Sequence, residues 1–278
     1  MPNFFIVGVA KAGTTALANI LVQHPEVFAS AVKEPNYFSR DEIKAADLYY
    51  RNEGVENWEQ YLACFKAAEE QKVILEASVS YFTFPSVAVK IKQTFPNAKV
   101  LIILREPIER AISHYLMDQR LGYVQADFME IFRNPNSYAK HYKQYFEQSM
   151  YYERCKEYCK IFGEENILIL KYEPEVEKLA NQICRFLELS PFQFSSLQSN
   201  KSRIPTNQIL KALYQIPFIR RTFKAITPTV IIKGIQSNYF QEQRVELSES
   251  DRTELQAHFK ADLNDLKRSL SINLSSSK

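Results

Sequence analysis

The stretch FFIVGVAKAGTTAL, Phe4 to Leu17, decides how this chain is read. An apolar run ends in Gly8, Gly13 follows at the G-x-x-x-x-G spacing of a phosphate-binding loop, and Thr14-Thr15 open a helical pattern. A strand that turns through glycines into a helix offers an anion its backbone N–H groups and the positive end of the helix. In a nucleotide triphosphatase, Lys and then Ser or Thr follow the second glycine. Here Lys11 lies inside the loop and two threonines follow Gly13. The loop predicts an anion site that carries its own mobile positive charge. A tight turn with no ligand is the alternative reading.

A triphosphatase also needs an acidic residue at the end of a neighbouring strand to hold magnesium. The strand-like run KVLIIL (99–104) ends in Arg105, and NILIL (166–170) ends in Lys171. KVIL (72–75) ends in Glu76, which keeps a metal-dependent small-molecule kinase open. Cations at strand ends suit a ligand neutralised by the protein without metal.

Short apolar runs alternate with helical stretches along the rest of the chain. FFIVGV (4–9), KVILEAS (72–78), KVLIILRE (99–106) and NILILKY (166–172) read as strands. GTTALANILVQHP, stopped by Pro25, SVAVKIKQTFP (86–96), PIERAISHYLMDQ (107–119) and a long segment over 144–162 read as helices. Pro107 stands at a first helical position, where its missing N–H costs nothing. Ser248-Glu249-Ser250-Asp251 reads as a capping box, after which Leu255, Phe259, Leu266 and Leu270 keep one helical face apolar. Alternating strands and helices predict an α/β fold of P-loop-like, three-layer form, its central parallel sheet flanked by helices. One domain over 1–278 is expected, with a basic cover or acceptor region at 189–241 and a frayed Ser-rich tail at 271–278.

Composition narrows the partners. The 278 residues are 46% hydrophobic and 24% charged, an ordinary globular balance, and the net charge of +3 is too mild to make nucleic acid the main partner. The charge is uneven. Leu189 to Gln241 holds no acidic residue but contains Lys201, Arg203, Lys211, Arg220, Arg221, Lys224 and Lys233, so the remainder is net acidic. This stretch is either a solvated basic face or a cover over an anionic ligand; a membrane-surface role for its apolar-basic part is a further alternative. Cys64, Cys155, Cys159 and Cys184 contain no C-x-x-C pair and read as reduced thiols. No apolar run approaches 18 residues and no signal peptide is evident, so a cytoplasmic protein with no integral membrane association is expected. The sequence leaves the oligomeric state open.

A second anion feature stands beside the loop. Arg105 follows a strand, and Ser113 lies two turns into the next helix. A planar guanidinium fork and a hydroxyl at the carboxyl edge of a parallel sheet suit a second phosphate. A salt bridge from Arg105 to Glu106 or Glu109 is the competing use.

FFIVGVAKAGTTAL and VLIILREPIERAISHYL together resemble the two signature elements of sulfotransferases that use 3′-phosphoadenosine 5′-phosphosulfate (PAPS). The likeness is to the branch containing heparan-sulfate sulfotransferases and their bacterial relatives. It extends through HPEVFASAVKEPNYFS, LEASVSYF and NILILKYE, covers roughly residues 4–190 in order, and is weak thereafter. It implies Lys11, Ala12, Gly13, Thr14 and Thr15 on the 5′-phosphosulfate, Arg105 and Ser113 on the 3′-phosphate, no metal, and 3′-phosphoadenosine 5′-phosphate (PAP) as product. Lys11 then meets charge on the leaving group. Glu34 of KEPNYF stands where this branch places its general base, with an ion pair to Lys33 as its plainer use. NKSRIP (200–205) is the candidate for the family's C-terminal basic loop, adding Lys201, Ser202 and Arg203 to the donor site.

Among the histidines, His24 before Pro25 reads as structural, and His114 competes with Glu34 as base. The branch's E-K-T-P element departs here to Glu76-Ala77-Ser78-Val79, without the Lys, which weakens a polysaccharide acceptor. A small neutral or cationic metabolite, sulfated on a hydroxyl or amine as in secondary-metabolite tailoring, is the expected acceptor. A glycan is the alternative. Tyr37, Phe38, Tyr81 and Phe82 could stack on a planar or cationic ring of the small metabolite, with core packing as the role of at least half of them.

Overall fold

Two strands are buried almost throughout: β1 (Phe4–Gly8) along its whole length and β4 (Lys99–Leu104) after its first residue. Apolar runs of this kind belong at the centre of a parallel sheet whose two faces are both covered. In the computed structural model, which describes residues 1–49, 54–195, 203–205, 240–242 and 244–274, these strands are neighbours. With β2 (Val27–Ala29), β3 (Val73–Ala77) and β5 (Ile167–Lys171) they form a five-stranded sheet of order β2-β3-β1-β4-β5, parallel throughout. The central parallel sheet flanked by helices is the predicted α/β, P-loop-like fold.

The chain divides into two compact units. The first comprises residues 1–110, 148–199 and 257–278 and holds the sheet. Its helices α1 (Thr14–Leu21) and α9 (Val176–Phe186) contact one another, as do α4 (Pro85–Thr94) and α8 (Tyr152–Phe162). Two short helices, α2 (Arg40–Ala45) and α3 (Trp58–Ala63), follow β2. The second unit comprises residues 111–147 and 200–256. It receives most of α5 (Pro107–Leu121), α6 (Phe128–Arg133), α7 (Ala139–Tyr145) and the first turns of α10 (Glu249–Leu270). Phe128 joins its aromatic cluster through contacts to Tyr115 and Phe146, with centroids 5.4 and 5.1 Å away. Arg133 holds Asp251 and Glu254 at 2.6 and 2.7 Å. An antiparallel pair, β6 (Arg203–Pro205) and β7 (Phe240–Glu242), belongs to the same unit.

The capping box forms as the sequence predicts: Asp251 N–H donates to Ser248 Oγ at 3.1 Å and Ser248 N–H to Asp251 Oδ2 at 3.0 Å. The helix expected over 144–162 does not form as one piece. α7 ends at Tyr145, a 3-10 turn covers Glu147–Ser149, and α8 begins at Tyr152. The restart has a physical cause. The N–H groups of Tyr151 and Tyr152 donate to the two carboxylate oxygens of Asp262, each at 2.9 Å, so a residue of α10 caps α8. Strand β2 is an element the sequence reading lacks; three residues after a proline are too few for periodicity to register. At the far end Leu274 is buried, which ties residues 271–274 down. Residues 275–278, and most of the basic run 189–241, lie outside the described residues. Among the described residues no helix is long and apolar enough to cross a membrane.

Candidate active site

The loop between β1 and α1 is shaped by two left-handed residues, Lys11 (φ 75°) and Gly13 (φ 76°). Left-handed positions set among right-handed ones turn successive N–H groups to one side, the geometry of an anion nest. Gly13 is required twice over. Its φ disfavours any Cβ, and a Cβ there would stand 2.8 Å from Cε2 of Tyr172. Gly8 is equally tight, since a Cβ would meet Cβ of Phe82 at 2.6 Å. Helix α1 starts without a side-chain cap and without an acidic residue in its first turn. Its first N–H groups are therefore offered to an anion, with the helix dipole behind them. Thr14 is buried, whereas Thr15 is exposed at the mouth of the loop.

Arg105, the residue after β4, is tied to this loop. Its Nη1 donates to the Lys11 carbonyl at 3.2 Å and its Nη2 to Glu109 Oε2 at 3.3 Å. The guanidinium also lies over the Tyr172 ring, 5.3 Å from its centroid. Arg105 thus makes the competing salt bridge to Glu109 and stands against the loop. Tyr172, absent from the sequence-derived site, forms the shelf between Gly13 and Arg105. The sequence carries no local signal for it. In the β4–β5 register Leu104 faces Lys171, so the residues just past the two strand ends, Arg105 and Tyr172, fall side by side. Tyr172 N–H donates to the Leu104 carbonyl at 2.7 Å.

Glu34 lies in the segment after β2. It is about one-third exposed, has φ 53°, and lies 3.9 Å from Lys33 Nζ, an exposed ion pair worth little. Its segment is held two residues on, where Asn36 N–H donates to Ser78 Oγ at 3.1 Å. Ser78 N–H donates in turn to the Ile6 carbonyl of β1 at 3.1 Å.

Glu76, the acid that could have held magnesium, is turned inward. It is fully buried, accepts from Tyr61 Oη at 2.5 Å and from Ser78 Oγ at 2.7 Å, and burial pushes its carboxyl above the usual range. With both oxygens engaged inside the core, it does not serve the loop as a metal ligand. The same burial drives the Tyr61 and Tyr81 hydroxyls far above their ordinary values.

The remaining predicted residues lie on other elements. Ser113 is half-buried on α5 and belongs to the second unit. Arg203 lies in β6, its backbone opposite Glu242. Lys201 and Ser202 lie outside the described residues. His114 is buried and meets the Tyr145 ring edge-on at 5.5 Å. His24 is structural, as predicted: Nδ1 accepts from Glu26 N–H at 3.1 Å, which leaves Nε2 to donate to the Ser190 carbonyl at 3.0 Å.

A parallel sheet whose first loop offers an uncapped helix end, with an arginine from the next strand fastened to that loop, defines a class: proteins that bind an anionic donor at the carboxyl edge of the sheet. Within that class the chain belongs to the sulfotransferase domain family, whose profile matches residues 1–266 and whose members use PAPS. It is 36% identical over 115 residues to membrane-associated sulfotransferase kil1 of Dictyostelium discoideum, covering 41% of this chain and 22% of that protein. It is 30% identical over 203 residues to heparan sulfate glucosamine 3-O-sulfotransferase 5 of Mus musculus, covering 69% of this chain and 54% of the relative. The chain thus spans about half or less of the length of these curated relatives. Among solved structures, a sulfotransferase from Alicyclobacillus acidocaldarius superposes with a TM-score of 0.69 at 23% identity, covering 99% of this chain and 97% of that one. At that identity the likeness speaks for the fold.

Proposed function

We propose that this chain transfers the sulfuryl group of PAPS to a hydroxyl or amine of a small neutral or cationic metabolite. The observation that carries the donor half is the fastening of Arg105 to the Lys11 carbonyl beside the uncapped start of α1. It supports a donor with phosphates at both its 5′ and 3′ ends, one for the loop and one for the guanidinium. The residues fit such a donor: Gly13 leaves open the space a Cβ would close, and the α1 N–H groups lack a side-chain acceptor.

When bound, PAPS supplies an activated sulfuryl group and a bisphosphate that departs. Lys11, Ala12, Gly13, Thr14 and Thr15 hold its 5′ end, and Lys11 meets the charge that grows on the leaving oxygen. Arg105 and Ser113 hold the 3′-phosphate, with Lys201, Ser202 and Arg203 as further contacts. Glu34 takes the acceptor's proton, a role that contributes on the order of 10²–10⁴-fold. A sulfuryl group carries less charge than a phosphoryl group, so the protein's own cations suffice and metal is not required. The inward placement of Glu76 supports this over the kinase reading.

The acceptor reading draws support from a groove of about 510 Å³ on the segment that follows Glu34. Tyr37 and Trp58 line it, with Arg40, Asp41, Lys90 and Gln93. Arg40 is paired with Glu56 at 3.0 Å and Lys90 with Glu42 at 2.7 Å, so among the described residues Asp41 is the lining charge without an ion-pair partner. Aromatic faces beside an uncompensated carboxylate suit a planar neutral or cationic group. A glycan acceptor is the second reading, and the name of the mouse relative favours it. We place the enzyme in the cytoplasm as part of the same proposal.

Thermal unfolding tests the donor. PAP without magnesium should stabilise the protein by about 2.7 kcal/mol at 100 times its Kd, and Mg-ATP far less. A response to Mg-ATP alone would overturn the sulfotransferase reading. A mass-read acceptor screen with labelled PAPS tests the rest. Transfer to heparan-type oligosaccharides and to no small alcohol, amine or alkaloid would return the enzyme to the glycan class.

A further inference from the structure

Three serines converge on Asn36, two residues after Glu34. Ser78 Oγ accepts from Asn36 N–H at 3.1 Å, Ser80 Oγ donates to Asn36 Oδ1 at 2.6 Å, and Ser39 Oγ donates to the Asn36 carbonyl at 3.3 Å. Ser39 Oγ also stands 2.7 Å from Ser80 Oγ, so its single proton can go there in place of the Asn36 carbonyl. Between Glu34 and Asn36 lies Pro35, whose carbonyl accepts from Val55 N–H at 3.1 Å. The segment this clamp holds is strained. Glu34 (φ 53°) and Asn36 (φ 52°) are both left-handed without being glycine. Such residues persist only where their surroundings over-determine them, and they concentrate at functional sites.

The orientation of the accepting hydroxyl is set from within the core. A serine hydroxyl both donates and accepts and ordinarily rotates to suit its neighbours. Ser78 has no such freedom. Its proton is directed to Glu76 Oε1 at 2.7 Å, which holds the hydroxyl with its lone pairs turned toward the Asn36 N–H. Glu76 is itself fixed by Tyr61 Oη at 2.5 Å, and Ser78 is anchored to β1 through the Ile6 carbonyl. A buried carboxyl is costly, and apolar residues of similar volume often serve stability as well or better. Here the carboxyl instead fixes a hydroxyl, and the hydroxyl fixes a strained turn.

We propose that Ser78, oriented by the buried Glu76, is a positioning residue that aims Glu34 at the acceptor. This rests on the reading of Glu34 as general base. Neither Ser78 nor Glu76 touches the reacting atoms; both act through the backbone at Asn36.

The test uses Ser78→Ala, Ser78→Thr and Glu34→Gln in the full chain, assayed with PAPS and 4-nitrophenol as acceptor. Ser78→Ala should lower kcat by about 10- to 100-fold, the scale of a small misplacement of a reacting group, and leave KM for PAPS within about 2-fold. Ser78→Thr, which keeps the hydroxyl, should restore most of the turnover. Hydrogen exchange at the Asn36 amide should speed by at least about 10-fold in Ser78→Ala while exchange in the Phe4–Leu17 segment is unchanged. In the Glu34→Gln background Ser78→Ala should cost little more, because its effect passes through Glu34. Unchanged Asn36 exchange, unchanged kcat, or full additivity of the two changes would overturn the positioning role. Failure of the base reading looks different: Glu34→Gln alone would then turn over like wild type.

Discussion

Arg105 and Lys11 stand 94 positions apart in sequence, yet the guanidinium of one donates to the main-chain carbonyl of the other. The arginine grips the loop's backbone rather than its charge, so the Lys11 ammonium is not the group it contacts in this bond. Replacing Arg105 with Ala should therefore weaken binding at both ends of the donor, by removing a phosphate fork and by loosening the loop. The expected signature is a loss of roughly 10- to 100-fold in PAP affinity by calorimetry, as for a charged hydrogen-bonding group worth 1.5–3 kcal/mol. Lys11→Ala should instead lower kcat more than it weakens PAP binding, as its proposed role in the transition state requires. Equal effects of the two changes on kcat and on affinity would contradict this division of labour.

Gly13→Ala isolates the loop geometry. It forces a Cβ into a left-handed position, at about 1–2 kcal/mol, and drives it to 2.8 Å from the Tyr172 ring. The protein should lose several degrees of Tm and most of its PAP-induced stabilisation. If the variant binds PAP as tightly as wild type, the shelf made by Tyr172 is not part of the donor site.

Trp58 is the chain's single tryptophan and it lines the groove beyond Glu34. Its fluorescence reports occupancy without any turnover. Titration with benzamidine, a planar cation, should change the emission saturably, whereas benzoate should not. Asp41→Asn should abolish that preference. A groove that answers benzoate as strongly as benzamidine would not support a cationic acceptor.

The Glu76 carboxyl supplies a pH prediction. Its pKa is raised by burial above the ordinary 4.5, so the folded state holds the proton more tightly than the unfolded state. Stability from this group is therefore greatest below the unfolded pKa and falls as pH rises through the folded one. Gln does not titrate. The stability deficit of Glu76→Gln relative to wild type, from urea unfolding, should be larger at pH 5 than at pH 8. A deficit that grows with pH would show that the fold prefers the carboxylate.

The thiols give a check on the core. Burial pushes the Cys155 thiol well above its usual range and raises Cys64, Cys159 and Cys184 as well. Thiolate, not thiol, is the nucleophile, so labelling of the native protein at pH 8 should be slow. Cys159, the least buried of the four, should react first, and denaturant should expose all four. Rapid labelling of Cys155 would mean that α8 opens from the sheet.

The sheet and the loop were legible in the sequence because their causes are local. Residues 4–7 and 100–104 are apolar without a break, as strands covered on both faces must be, and Gly8, Lys11, Gly13 and Thr14 follow at fixed offsets within one turn of chain. The capping box at Ser248 is equally local, four residues long. What the sequence hid depends on pairs brought together from far apart. Asp262 caps α8 from 111 positions away and splits a helix that periodicity had joined. Tyr172 gains its place against Gly13 and Arg105 because parallel strands β4 and β5 end level. Glu76 looked like a strand-end acid free to meet a ligand. Only the fold shows that Tyr61 and Ser78 turn it inward, since in a strand one residue's difference in position decides which face a side chain takes. Spacing thus pointed to an anion site at the end of a parallel sheet. The tertiary contacts decided that Arg105 stands against that loop while Glu76 is turned into the core, because both placements depend on partners far away in sequence.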